Sequence, residues 1–345
     1  MRIALTVDPE LPVPPGQYGG VERIVDTLAH GLEQRGHEVT LFAHPESASA
    51  GRLVAWPGRR SRSAVDTVRN ALTLARAAAT GAFDVVHSSS RLAYMLPILG
   101  APIPKLMTYH REISIRSVRL GQRLSGGSLW FSAISHRMMA AVRHIGVWRM
   151  VYNGAPLDRY DFRADPGPDA PLVFLGRIEA IKGPHLAIEI ARRAGLPLVI
   201  AGNVPPEHQG WFEAHVKPHI DGERVRYVGP VDDAQKNALL GGARALLMPI
   251  QWEEPFGLVM AEAMACGAPV LATARGAAPE VVEHGVTGFV ADDVDGLVAA
   301  VGQLGAIDRA ACRARTERLF SDTALVEGYL AVYDEMLAAR RRGTG

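Results

Sequence analysis

The sequence predicts an α/β protein of two doubly wound domains, each a parallel sheet with helices on both faces. Three observations predict it. Short apolar runs recur along the chain, separated by amphipathic helical stretches. At 345 residues the chain exceeds the usual single-domain range and divides naturally into two. A stretch near the middle, Arg163-Ala-Asp-Pro-Gly-Pro-Asp-Ala-Pro171, carries three prolines that neither a helix interior nor a central strand accepts.

Taken in order, Arg2–Val7 reads as the first strand, followed by a Pro/Gly-rich loop from Asp8 to Tyr18. Val21, Ile24, Val25, Leu28 and Leu32 then form a helical stripe that Gly36 stops. Glu38–Ala43, Asp84–His87, Lys105–Tyr109, Trp130–Ile134 and Arg149–Tyr152 are the further strands of the first half. In the second half the strands are Pro171–Leu175, Leu198–Ala201, Val225–Val228, Ala245–Pro249, Pro269–Ala272 and Gly288–Ala291. The expected division is an N-terminal domain over 1–155, a linker over 156–170 and a C-terminal domain over 171–320. A closing helix within 321–345 is expected to pack back on the N-terminal domain, with Gly343–Gly345 fraying. Doubly wound sheets bind ligands outside the carboxyl ends of their strands, so the cleft between two facing domains is the expected site.

Composition narrows the function classes. The chain is 48% hydrophobic and 21% charged, which suits a well-cored globular protein. The net charge of +1 gives no reason to expect nucleic acid. Cys266 and Cys312 are the two cysteines, so a disulfide framework and a cysteine zinc site are excluded and a reducing cytosol is expected. No apolar run approaches the roughly 18 residues of a membrane span, and the N-terminus lacks a signal-peptide core. The neutral sum hides an asymmetry. Residues 1–165 hold 20 Lys/Arg against 13 Asp/Glu, whereas the remainder holds 17 against 23. Only Lys105, Lys182, Lys217 and Lys236 are lysine in a chain otherwise biased to arginine.

Four motifs carry chemistry. Glu254-Pro-Phe-Gly-Leu-Val-Met-Ala-Glu262 follows a strand and opens a helix, with Pro255 near the first turn. Amides of Phe256, Gly257 and Leu258 at that helix start suit an anionic phosphate. The two carboxylates would lie ~12 Å apart on one face if the segment were helical throughout, a span that suits a sugar at one end and a ribose at the other. A plainly capped helix is the alternative. Gly176-Arg-Ile-Glu-Ala-Ile-Lys-Gly183 places Arg177 and Lys182 at a strand-to-helix turn. A guanidinium fork and an ammonium can neutralise a diphosphate there without a metal; two solvated loop cations are the alternative. Gln17-Tyr18-Gly19-Gly20-Val21-Glu22-Arg23 brings a glycine pair to a helix start, where backbone can approach a ligand closely. His110 follows a strand and therefore lies on the ligand edge of its sheet.

In this order the four motifs resemble the retaining glycosyltransferases of family 4, which have the GT-B fold. Tyr152-Asn153-Gly154 and Gly276-Ala-Ala-Pro-Glu280 with Gly285-Val-Thr-Gly288 extend the resemblance over essentially the whole chain. The resemblance implies that Gly19 and Gly20, Arg177 and Lys182 hold the donor diphosphate. It implies that Glu254 hydrogen-bonds the donor sugar beside Phe256, Gly257 and Leu258, and that Glu262 takes the ribose hydroxyls. His110 would contact the donor sugar or its reacting centre, and Val231, within Val228-Gly-Pro-Val-Asp-Asp233, the base. Retention, a nucleotide-diphosphate sugar as substrate, and the absence of any metal or other cofactor are likewise implications of the resemblance. For the base, UDP is placed ahead of GDP, although Asp233 and Lys236 resemble the base-contacting stretch of some GDP-mannose-dependent members.

Other sites are set aside. Asp293-Val-Asp295 matches a D-x-D string but reads as a surface turn, and Pro218 breaks the helical spacing of His215 and His219. The chain has no G-x-G-x-x-G, G-x-S-x-G or H-E-x-x-H. Arg52, Arg59, Arg60, Arg62, Arg69 and Arg76 are opposed by Asp66 alone, and a second cluster runs from Arg111 to Arg149 opposed by Glu112. Such a half suits docking on an anionic membrane or recognition of a phosphate-bearing acceptor, against the plain reading of a solvated face. The acceptor is expected to be a small molecule, a glycan or a lipid-linked glycan, and the location cytoplasmic. Two competing functions stay open: a sugar-nucleotide epimerase on the same fold and a silent sugar-nucleotide-binding protein.

Overall fold

Fully buried parallel strands should be short and apolar on both faces, and both sheets are built that way. The computed structural model describes residues 1–16 and 19–343. Gln17 and Tyr18 of the glycine-pair motif, and Thr344 and Gly345 of the expected fraying end, lie outside the described residues. The chain forms two compact units: residues 1–154 with 322–345, and residues 155–321.

The first unit holds β1 (Arg2–Thr6), β2 (Glu38–Ala43), β3 (Arg52–Ala55), β4 (Val85–Ser88), β5 (Lys105–Tyr109), β6 (Leu129–Ala133) and β7 (Trp148–Met150). They pair in the order β3-β2-β1-β4-β5-β6-β7, all parallel. The direction of winding reverses between β1 and β4, so the carboxyl ends of these two strands mark the ligand crevice of this sheet. Strand β3 was not expected from the sequence. It is an edge strand whose Arg52 and Ala55 are exposed, so only Leu53 and Val54 carry an apolar signal.

The long helix Asp322–Gly343 belongs to this unit and is fastened by buried polar groups. His87 Nδ1 lies 2.6 Å from Tyr333 Oη, and His87 Nε2 lies 2.6 Å from Thr108 Oγ1. Thr108 in turn meets Ser132 at 2.7 Å and Tyr329 at 3.4 Å. Burial lowers the His87 pKa to about 3, so the ring is neutral.

The second unit holds β8 (Leu172–Leu175), β9 (Leu198–Ala201), β10 (Val225–Tyr227), β11 (Ala245–Met248), β12 (Val270–Thr273) and β13 (Gly288–Ala291), in the parallel order β10-β9-β8-β11-β12-β13. Here the winding reverses between β8 and β11. The segment 156–170, expected as a linker, is built into this unit: Tyr160 is buried and Arg163 N donates to Cys266 O at 3.1 Å. Asp293 is a helix N-cap rather than a plain turn, its side chain accepting from Gly296 N at 2.9 Å, and Asp295 pairs with Arg193 at 2.7 Å. Among the described residues no helix is long and apolar enough to cross a membrane, and no cluster of His, Cys, Asp or Glu could hold a metal ion.

Candidate active site

The second unit gathers its charged motifs at the β8/β11 reversal. Arg177 follows β8, with Nη2 2.8 Å from the buried Glu179, whose other oxygen lies 3.3 Å from His208 Nε2. Lys182 closes a 3-10 turn, Ala180–Lys182, ahead of the helix Pro184–Ala194. Gln251, after β11, ties this turn down: its amide donates to Ile181 O and its side chain to Ala180 O, both at 2.8 Å. The two loops are therefore latched together, and Lys182 meets Glu254, Nζ to Oε2, at 2.6 Å.

Glu254 is held from three sides. Trp252 Nε1 donates to the same oxygen at 3.1 Å, and the Lys182 ammonium lies 4.7 Å from the Trp252 ring centroid. The Glu254 carbonyl accepts from Ala277 N at 2.8 Å. Gly276 makes the approach possible, because a Cβ there would stand 2.2 Å from both the amide nitrogen and the carbonyl oxygen of Glu254. The later Gly276-Ala-Ala-Pro-Glu280 motif thus positions the first carboxylate.

The geometry corrects the sequence reading of this segment. It is not helical from Glu254 onward: the helix spans Leu258–Ala265, with Gly257 as a left-handed N-cap at φ 76°. Pro255 therefore precedes the first turn, and the two glutamates do not share one continuous helix face. The Phe256 side chain is buried edge-on against Phe320, ring centroids 5.6 Å apart.

Glu262, in the helix, has a matching arrangement. Its Oε1 accepts from Lys236 Nζ and from Tyr160 Oη, each at 2.7 Å, and Lys236 lies 5.3 Å from the Tyr160 ring. Burial beside the Glu262 carboxylate pushes the Tyr160 pKa far up, so the phenol stays a donor. Both carboxylates of the motif thus hold a lysine under an aromatic ring. Val231 is half-buried just before Asp232, which caps the helix Asp233–Gly241 by a reciprocal bond pair with Gln235. Sequence reasoning did not find Trp252 or Tyr160 in these roles.

The first unit carries a separate constellation at its own reversal, around a cavity of about 570 Å³. Asp8 follows β1, Ser89, Ser90 and Arg91 follow β4, and His110 and Arg111 follow β5; Glu22 and Arg62 also line it. Gly19 caps the helix Gly20–Gln34, and a Cβ on it would stand 2.7 Å from Pro15 and 2.9 Å from the Glu22 carboxylate. Gly20 has open space instead. His110 Nε2 lies 3.2 Å from Ser89 Oγ. Burial, with Arg111 adjacent, lowers its pKa to about 4, so it is a neutral hydrogen-bonding group at pH 7. Asp8 is pushed up to about 6 by burial and by Glu10, against Arg111 and Arg91. Burial raises Glu22 as well. The sequence signal for Asp8 is its place just after the first strand, as for His110.

Each half of the chain matches a glycosyltransferase family. Residues 18–159 match the family described as Glycosyltransferase Family 4, and residues 162–309 the family described as Glycosyl transferases group 1. A glycogen synthase of Mycobacterium tuberculosis is 36% identical over 203 residues, covering 53% of this chain and 48% of that protein. The chain thus spans about half the length of the first curated relatives it matches. A phosphatidyl-myo-inositol mannosyltransferase of Propionibacterium freudenreichii is 29% identical over 349 residues, covering 90% of this chain and 87% of that one. Among solved structures, a sucrose-phosphate synthase of Thermosynechococcus elongatus superimposes with a TM-score of 0.78 at 22% identity, covering 98% and 99% of the two chains. The fold is GT-B, and the family matches support a glycosyltransferase.

Proposed function

We propose that this GT-B chain, whose halves match two glycosyltransferase families, is a retaining glycosyltransferase that works without a metal. It moves a hexose-type sugar from a nucleotide-diphosphate sugar, UDP ahead of GDP, to a hydroxyl of an envelope glycan, glycolipid or natural product. The observation that carries this reading is the convergence of Arg177, Lys182 and Glu254 at the strand-order reversal of the second unit. When the bond from the anomeric carbon to the diphosphate oxygen breaks, charge grows on that diphosphate. Arg177 and Lys182 are fixed cations that meet such charge without reorganising. The acceptor oxygen bonds to the anomeric carbon, and its proton leaves with the departing diphosphate.

Within this reading Glu254 accepts hydrogen bonds from donor-sugar hydroxyls and Glu262 from the ribose. Gly19, Gly20 and His110 are assigned to the donor, and Val231 to the base, on the family resemblance alone. We also place the protein in the cytoplasm, in peripheral contact with an anionic membrane. The helix Ala64–Ala79 supports that contact, since Val65, Val68 and Leu72 are exposed beside Arg69 and Arg76. Absence of salt-sensitive co-sedimentation with anionic vesicles would remove it.

The first test is thermal unfolding with UDP, GDP, ADP and buffer alone. Saturation at about 100 times Kd adds roughly 2.7 kcal/mol, a shift of a few degrees at this size. One nucleotide should shift the transition and identify the base; turnover of the matching sugar nucleotide in the presence of EDTA should persist. The anomeric configuration of the product, read by NMR, should be that of the donor. Conversion of the donor to a new sugar nucleotide without acceptor would transfer the assignment to an epimerase.

A further inference from the structure

Glu262 is the carboxylate assigned to the ribose, and its two oxygens are in unequal conditions. Oε1 accepts from Lys236 Nζ and from Tyr160 Oη, each at 2.7 Å. Oε2 accepts no hydrogen bond among the described residues. A carboxylate oxygen offers two lone pairs, so these two donors fill Oε1. The Lys236 ammonium also lies 3.6 Å from Asp233 and is therefore shared. The phenol is not shared: among the described residues Tyr160 Oη has Glu262 as its one hydrogen-bond partner.

Several bonds fix the phenol in this place. Tyr160 follows the 3-10 turn Leu157–Arg159, and its carbonyl accepts from Arg313 Nη1 at 2.8 Å. The same nitrogen donates to Ala265 O at 2.9 Å, at the end of the helix that carries Glu262. Asp161 is bound to the other helix: its amide donates to Asn237 Oδ1 at 2.9 Å, and its Oδ2 accepts from Asn237 Nδ2 at 2.8 Å. Asn237 adjoins Lys236 in the helix Asp233–Gly241. The stretch around Tyr160 is thus tied to both helices whose side chains meet at Oε1. A phenylalanine ring would serve the packing and the contact with Lys236 equally well. The buried hydroxyl costs free energy unless it is bonded, and all its bonding goes to one oxygen of one carboxylate.

We propose that Tyr160 is a specificity-determining residue: by filling Oε1 it makes Glu262 a one-oxygen acceptor that reads a single ribose hydroxyl through Oε2. A carboxylate with both oxygens open takes a vicinal diol with one hydroxyl on each oxygen and weighs the two equally. With Oε1 filled, one hydroxyl of the pair donates to Oε2 and the other gains nothing from this carboxylate. The inference rests on the ribose reading of Glu262. It goes beyond that reading by giving the choice between the hydroxyls to a side chain that bonds to neither.

The test measures affinities by calorimetry for UDP, 2′-deoxy-UDP and 3′-deoxy-UDP, and for the matching GDP series. The proteins are wild type, Tyr160→Phe and Glu262→Gln. In the wild type one deoxy form should bind about tenfold more weakly than its ribonucleotide, through loss of one charge-assisted bond, and the other within about twofold. This one-sided gap tests the filled oxygen without any substitution. Tyr160→Phe keeps the ring and reopens a lone pair of Oε1, so its two deoxy forms should come within about twofold of each other. Glu262→Gln should close the gap as well, because its amide oxygen keeps the Lys236 and Tyr160 donors and its NH2 group cannot accept from a hydroxyl. A merely structural hydroxyl would weaken all three nucleotides alike and leave their ratios unchanged. A gap that persists in Tyr160→Phe and closes in Glu262→Gln would overturn the proposal and spare the ribose reading, as would equal losses from both deoxy forms in the wild type. Full wild-type affinity for both deoxy forms, a gap that persists in Glu262→Gln, or no binding of either series would remove the ribose reading and the proposal together.

Discussion

The two units place their cations in opposite conditions. In the second, Lys182 and Lys236 are each bonded to a buried glutamate and covered by an aromatic ring. In the first, Arg62, Arg91 and Arg111 surround a cavity without a partner among the described residues, over carboxyls that burial drives towards protonation. A buried pair is already neutralised, so removing either member leaves the other stranded. An exposed, unpaired guanidinium owes nothing to the fold and is free to be spent on a ligand. The difference separates cations fixed by the fold from cations the fold does not fix.

The largest effect should come from Glu254→Gln. This change keeps the shape and a hydrogen-bonding oxygen but removes the charge that fixes Lys182. A loss in kcat of roughly 100-fold or more is expected, in line with removing one preorganised electrostatic group, while the nucleotide-induced thermal shift remains. Unchanged turnover would discredit the assignment of this site.

Next comes Lys182→Ala, which strands the Glu254 carboxylate where only Trp252 still donates to it. A stability loss of about 3 kcal/mol is expected, read by urea unfolding at pH 7. A loss near zero would mean that the pair is solvent-screened and that the contrast between the units is false.

These residues also show what a sequence makes legible. Glu254, Glu262, Arg177 and Lys182 were visible because they lie in recognisable local strings that follow strands. Their aromatic partners were not: Tyr160 comes from a stretch that reads as a linker, 102 positions from Glu262, and nothing local marks it as part of the site. The helix start was misplaced for a similar reason. Gly257 takes a left-handed conformation, and the backbone of Glu254 is held by Gly276 and Ala277 from far along the chain. Long apolar strands such as β5 were legible almost residue for residue, whereas β3, an edge with two apolar residues, was not.

A third effect belongs to the first unit and to its buried polar network rather than its cavity. His87 is neutral in the fold with a pKa near 3, while an unfolded histidine titrates near 6.5. Below 6.5 the unfolded chain therefore takes up a proton that the folded one refuses, and stability falls with pH. The sign favours the folded state above pH 6.5, and about 2 kcal/mol of that advantage should be gone by pH 5. Comparing urea unfolding of wild type and His87→Gln at pH 8 and pH 5 isolates the contribution of this ring. The variant should be less stable at pH 8, where Tyr333 and Thr108 lose their partner, and should show a shallower acid limb. Parallel limbs would show that His110 or other groups carry the acid sensitivity.

The smallest effect sharpens the comparison most. Arg91→Gln/Arg111→Gln removes two charges, yet neither side chain is paired, so the stability change without ligand should stay within about 0.5 kcal/mol. Asp8 supplies an internal control on that expectation. Both arginines hold its pKa down against burial and Glu10, so their loss should raise it further and protonate more of it at pH 6. Stability should then change slightly more at pH 8 than at pH 5, because only an ionised Asp8 misses the arginines. A change of several kcal/mol, of the size expected for Lys182→Ala, would mean that these guanidiniums are structural and that the cavity is closed in solution. A near-zero result would show that these guanidiniums are dispensable to the fold, in contrast to the paired lysines of the second unit.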